Sequence, residues 1–152
     1  MNKRVVILES IAPALYWTIL AASIWVLLRG HNEPGGGFIG GLIAVSASVL
    51  WSIAFSADSA ARRLPLRSAM TLATVGIAIG VVSGIPALWM GNSFLTHIWG
   101  EIPVIGFAVS TVLVFDIGVY LTVWGALAGY ALSLLALGEE DEGGHATEEG
   151  QA

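Results

Sequence analysis

Residues 69–90 read AMTLATVGIAIGVVSGIPALWM, without a single Asp, Glu, Lys, Arg or His. A helix of that length crosses the roughly 30 Å hydrocarbon core of a bilayer. Working outward, comparable runs recur at Ile11–Leu28, Phe38–Ala57 and Val109–Leu137. Between them, the charged and His residues gather in three short stretches, Arg29–Glu33, Asp58–Arg67 and His97–Glu101. The composition agrees: 56% of the chain is apolar and 11% charged, against about 25% charged in soluble domains. A soluble exterior needs charge spread along the whole chain, so the expected fold is an all-α membrane protein of four transmembrane helices.

The basic residues set the expected orientation. Lys3 and Arg4 precede the first span, and Arg62, Arg63 and Arg67 lie between the second and third. By the positive-inside rule that side is cytoplasmic, giving an N-in, C-in topology. Lys3 and Arg4 ahead of an apolar run also fit a signal peptide, but Glu9 and Pro13 interrupt its start and no small-x-small cleavage site follows. The segment reads as a retained first helix. The net charge of −5 is uneven, because six of the eleven acids (Glu139, Glu140, Asp141, Glu142, Glu148 and Glu149) lie in the last fourteen residues with no Lys or Arg. The expected division is a four-helix membrane domain over 1–138 and a disordered, acidic cytoplasmic tail over 139–152.

Several chemistries are disfavoured. The chain has no cysteine, which removes disulfides, thiolate metal sites, cysteine-ligated clusters and cysteine nucleophiles. His31 and His97 fall in connecting loops and do not face each other within spans, against a bis-His haem. His97 and Glu101 share a helical spacing but lack a third ligand, and His145 sits alone among tail carboxylates. No metal site, cofactor, catalytic residue or nucleic-acid partner is expected, and the chain does not read as an enzyme. Pro86 and Pro103 predict a kinked or re-entrant connection between the third and fourth spans, with Trp89 and Trp99 at the outer interface.

Small residues supply the packing faces. Gly76, Gly80 and Gly84 recur every fourth position on the third span, and Gly125 and Gly129 do so on the fourth. Gly37, Gly41, Ala44, Ser48 and Ser52 make a similar stripe on the second. Such faces let helix backbones meet, and their number favours packing against partner subunits or further copies.

The segment Gly30-His31-Asn32-Glu33-Pro34-Gly35-Gly36-Gly37-Phe38 is the most distinctive. A glycine-rich turn opening a helix suits phosphate, but no Gly-Lys-Ser/Thr ending or preceding strand accompanies this one. Pro34 instead blocks continuation of the first helix, and the glycines permit the turn into the second.

This run, with Asp116-Ile117-Gly118-Val119-Tyr120 in the last span, resembles the B subunit of the multisubunit sodium/proton antiporters called Mrp or Mnh. The resemblance covers about residues 1–138. It implies an accessory subunit in the plasma membrane of a prokaryote, needed for assembly of a complex that exchanges Na⁺ for H⁺, with large complex-I-like subunits as partners. Membrane subunits of related complex-I-like or membrane-bound hydrogenase assemblies are the alternative. The resemblance carries over no catalytic residue.

Asp116 is the one acid inside an expected span, and Tyr120 and Trp124 follow it on the same helical stripe. An acid at that depth lines an ion or proton path or locks helices together through polar contacts. Both readings of Asp116 and Tyr120 stay open at the level of sequence.

Overall fold

The computed structural model describes residues 3–30, 36–96, 99–102 and 107–149. Helix α1 spans Lys3–Arg29, α2 Gly36–Ala54, α3 Ala57–Arg63, α4 Ala69–Val82, α5 Ile85–Trp89 and α6 Thr111–Glu149. Four stretches are long and apolar enough to cross a membrane: Ile7–Arg29, Gly36–Ala54, Ala69–Trp89 and Thr111–Glu139. The four expected spans are therefore present, with shifted ends.

Each shift has a local cause. Helix α1 begins eight residues before Ile11, because Pro13 removes one hydrogen bond, to the carbonyl of Glu9, without ending the helix. Helix α2 stops at Ala54 rather than Ala57, since Ser56 is extended and its side chain accepts from the Ser59 N–H at 3.1 Å, capping a new short helix. The expected loop at 58–63 is thus helical, with Asp58 and Arg62 paired along it. Ser68 caps α4 in the same way, accepting from Thr71 N–H at 3.3 Å. Pro86 lacks the N–H that would continue α4, so the span breaks at Ser83–Gly84 and resumes as α5 with the proline in its first turn.

Two features add to the helical reading. Trp99–Ile102 (β1) and Phe107–Ser110 (β2) pair as a short antiparallel hairpin between the third and fourth spans. That pairing occupies residues 109–110, so the last span starts at Thr111 rather than Val109. At the other end, α6 continues to Glu149, across the segment expected to be a disordered tail. Ala136, Leu137 and Glu139 favour helix and offset the cost of about 1 kcal/mol that Gly138 adds within it. Glu139 also reaches back, its Oε1 accepting the Ala57 N–H at 3.0 Å and tying α6 to the start of α3.

The spans pack in the order α1, α2, α6, α4. The middle pair is tied to both neighbours, whereas α1 and α4 keep broad apolar outer faces, including Trp17, Trp25, Ile77 and Val82. Such faces suit lipid or partner helices.

Helices α4 and α6 meet almost backbone to backbone. A Cβ on Gly118 would lie 2.6 Å from Gly80 N, and one on Gly125 would lie 2.5 Å from Ala73 N. Gly76 faces the Gly118 carbonyl and Thr122, and Gly129 faces Ala69. These small residues are therefore used inside the chain, which removes their number as an argument for oligomerisation. Gly84 instead packs beneath the Phe94 ring.

Gly80 differs from Gly76, since the nearest atom to its added Cβ is Phe115 Cδ2 at 4.0 Å. Gly80→Ala is therefore expected to leave thermal stability within about 0.5 kcal/mol, whereas Gly76→Ala should cost about 1–3 kcal/mol through overpacking. Thermal unfolding of both variants in one detergent checks this ordering, and equal losses would contradict the seam described here.

Candidate functional site

Asp116, Tyr120 and Trp124 lie one turn apart on α6, on the side that faces α2 and α1. Helix α2 opens at Gly36, whose φ of +83° is a conformation that side-chain-bearing residues avoid. Space there is also short: a Cβ on Gly36 would lie 3.3 Å from Asp116 Oδ2 and 3.5 Å from Oδ1. The next residue meets main chain, because a Cβ on Gly37 would lie 2.9 Å from Asp116 C and 3.0 Å from Tyr120 N. The half-buried Asp116 carboxylate thus rests against the first turn of α2. A helix start carries unsatisfied N–H groups and partial positive charge, so a carboxylate there is stabilised.

One turn deeper, Tyr120 is 5% exposed and its hydroxyl shares a 2.9 Å hydrogen bond with Ser23 Oγ of α1. Gly40 makes room for this junction, being close to Ser23 O, Leu27 and the Tyr120 ring. Another turn on, Trp124 packs edge-on to Tyr120, and its indole N–H donates to Ser48 Oγ of α2 at 2.9 Å. Ser48 Oγ in turn donates to Ala44 O at 3.2 Å. Along this polar ladder Asp116 packs against the start of α2, while Tyr120 and Trp124 hydrogen-bond α6 to α1 and to the middle of α2.

The ladder's chemistry favours anchoring. A hydroxyl both donates and accepts, so Tyr120 and Ser23 could hand on a proton, but an indole N–H only donates. Trp124 therefore ends any proton relay along this stripe. The one buried side-chain polar atom without a protein partner, among the described residues, is Ser52 Oγ, a turn beyond Ser48. Among those residues no three His, Cys, Asp or Glu side chains gather as a metal site requires.

The structure joins two motifs that lie far apart in the chain, Gly36 and Gly37 with Asp116 and Tyr120. Gly30 ends α1 in a turn, its N–H donating to Leu27 O at 3.3 Å. Phe38 points outward, 56% exposed. His31, Asn32, Pro34 and Gly35 lie outside the described residues. Gly76, Gly80, Gly125 and Gly129 belong to the separate α4–α6 seam. Sequence reasoning does not pick out Ser23 as a partner or Gly118 as a packing residue. A signal for a partner such as Ser23 exists, since a tyrosine or tryptophan buried in a span requires one for its polar handle.

Together these features define a multi-pass membrane protein whose helices are pinned by a buried polar ladder. The chain belongs to the family described as a domain related to the MnhB subunit of Na⁺/H⁺ antiporters, whose profile matches residues 7–129. It is 34% identical to the Na⁺/H⁺ antiporter B subunit of Bacillus subtilis over 139 residues, covering 89% of this chain and 94% of that protein. The B subunit of the Na⁺/H⁺ antiporter of Alkalihalophilus pseudofirmus is 34% identical over 140 residues, covering 90% and 94%. A putative antiporter subunit mnhB2 of Staphylococcus epidermidis is 34% identical, covering 88% and 96%. Among solved structures, the Mrp complex from Dietzia sp. DQ12-45-1b contains a chain that matches with a TM-score of 0.71 and 34% identity. The match covers 85% of this chain and 14% of that one, so the same unit occurs there within a far longer polypeptide. Antiporter relatives of this kind, together with four apolar helices, identify a multi-pass protein of the plasma membrane.

Proposed function

We propose that this chain serves as the B subunit of an Mrp-type multisubunit Na⁺/H⁺ antiporter, as an accessory membrane component required for assembly and not itself an enzyme. The observation that carries this reading is the agreement with an antiporter B subunit over 94% of its length, a match that spans the residues building the Asp116–Gly36 contact. The relatives named above are antiporter proteins, which favours an antiporter over a hydrogenase assembly.

Within that assembly the polar ladder fixes the order α1, α2, α6 and presents the outer faces of α1 and α4 to neighbouring subunits or lipid. The connection bearing Arg62, Arg63 and Arg67 is cytoplasmic by the positive-inside rule, so the start of α2 and Asp116 lie in the outer half of the membrane. The acidic end of α6 is then cytoplasmic.

The test is isolation of the tagged chain from its native membrane in mild detergent, with antiport measured in everted vesicles from a deletion strain. Large complex-I-like subunits should co-purify, and deletion should abolish Na⁺/H⁺ exchange until the gene is restored. A lone homo-oligomer, or coupled ion flux through the purified chain alone, would overturn the proposal.

A further inference from the structure

A groove of about 650 Å³ opens between the α3 end of the protein and the α4–α6 seam. Its apolar wall combines small residues, among them Ala69 and Ala73 of α4 and Ala126 of α6, with Met70 and Leu132, and Tyr130 is exposed along it. The small side chains that let α4 and α6 meet also leave this hollow beside them. Such a space in a membrane-spanning chain is filled by hydrocarbon, from lipid or from another helix.

The charge at one end distinguishes these occupants. Arg67, Ser68 and Asp58 line the groove where α3 turns into α4. Asp58 is already paired with Arg62, and Arg63 lies over the Trp51 ring with its guanidinium carbon 3.6 Å from the ring centroid. Arg67 is exposed and has no counter-ion among the described residues. The groove therefore joins an apolar trough to an unmatched guanidinium at the end of the span. A guanidinium binds phosphate oxygens well, and that end faces the leaflet rich in anionic lipid if the chain lies as proposed.

We infer that this groove holds one anionic phospholipid, its phosphate on Arg67 and an acyl chain along Ala73 and Ala126. The site requires the chain to span a membrane but does not require it to belong to an antiporter. Failure of the lipid test would leave the family assignment standing.

The test uses the intact assembly, delipidated and titrated with phosphatidylglycerol or phosphatidylcholine, with bound lipid read by native mass spectrometry. Arg67→Gln should weaken phosphatidylglycerol binding about fivefold, the factor expected for one basic residue facing an anionic lipid, and weaken phosphatidylcholine less, because its choline ammonium already offsets its phosphate charge. Ala126→Phe, which adds bulk from an exposed position, should weaken both. Unchanged phosphatidylglycerol binding in Arg67→Gln would overturn the site. A photo-reactive phenylalanine analogue at Tyr130 gives an independent measurement in an otherwise unaltered groove. It should label lipid, and labelling of a neighbouring polypeptide instead would show that a partner helix fills the space.

Discussion

Replacing Gly37 by leucine is expected to eliminate assembled protein, because no side chain can be accommodated where α2 crosses α6. Its first added atom falls on the Asp116 carbonyl group and 3.0 Å from Tyr120 N. These are backbone atoms of a long helix, so they cannot rotate aside as a side chain would. The helices would have to separate, and Gly41 would be drawn off Val123 on the same face. Separation also breaks the Tyr120–Ser23 and Trp124–Ser48 hydrogen bonds, leaving polar groups without partners in an apolar environment. Overpacking alone costs about 1–3 kcal/mol, and the stranded polar groups add about 1–3 kcal/mol each. Phe38→Leu is the control, since Phe38 is adjacent but outward-facing. Blue-native gels should show the complex with Phe38→Leu and none with Gly37→Leu. A normal complex in the glycine variant would mean that α2 and α6 do not cross as described.

The four spans are legible in the sequence because charge is nearly absent from them, Asp116 being the one acid within an expected span, a signal that needs no knowledge of packing. Their ends are less so. Residues 58–63, DSAARR, carry three charges and read as loop, yet the Ser56 cap and the Trp51 indole, which donates to Ser59 Oγ at 2.9 Å, hold them as a helix against α2. The β1–β2 hairpin has only four residues on each side, too few for alternation to stand out. The small-residue faces are recognisable as close-packing surfaces, but periodicity within one helix cannot identify its neighbour. Thus Gly118, which completes the seam with Gly76 and Gly80, stands out in the sequence only as part of a motif.

The candidate site is legible as two separate pieces. Proline and glycine chemistry marks the turn before α2, and the cost of an acid in a span marks Asp116. Nothing local connects residue 36 to residue 116, because their meeting depends on α2 lying beside α6 rather than α4. Once that order is fixed, the φ of +83° at Gly36 and the Asp116 carboxylate belong to one junction. The glycine run then makes room for the acid as well as turning the chain.

That junction gives Asp116 a definite expected behaviour. If its carboxylate anchors the start of α2, Asp116→Asn should assemble almost normally, since the amide keeps the size and polarity of the group that packs against Gly36. Only the charge–dipole component, about 0.3–1 kcal/mol, would be lost. Asp116→Leu should lower the amount of complex roughly tenfold, because it removes the charge–dipole attraction and puts a bulkier branched side chain where a Gly36 Cβ would already lie 3.3 Å from Oδ2, an overpacking cost of about 1–3 kcal/mol. Asp116→Glu should also be defective, as the existing oxygens already lie close to the position a Gly36 side chain would occupy. These structural effects are separated from transport by measuring exchange in everted vesicles across pH and dividing by assembled complex. For the anchoring role, activity per complex in Asp116→Asn should match the original protein at every pH. A carboxylate that loads and releases protons predicts a different pattern, with normal assembly but reduced exchange or a displaced pH profile, because asparagine cannot titrate. The Trp124 N–H below the junction accepts no proton, which is why the first pattern is expected, and observation of the second would overturn the anchoring role.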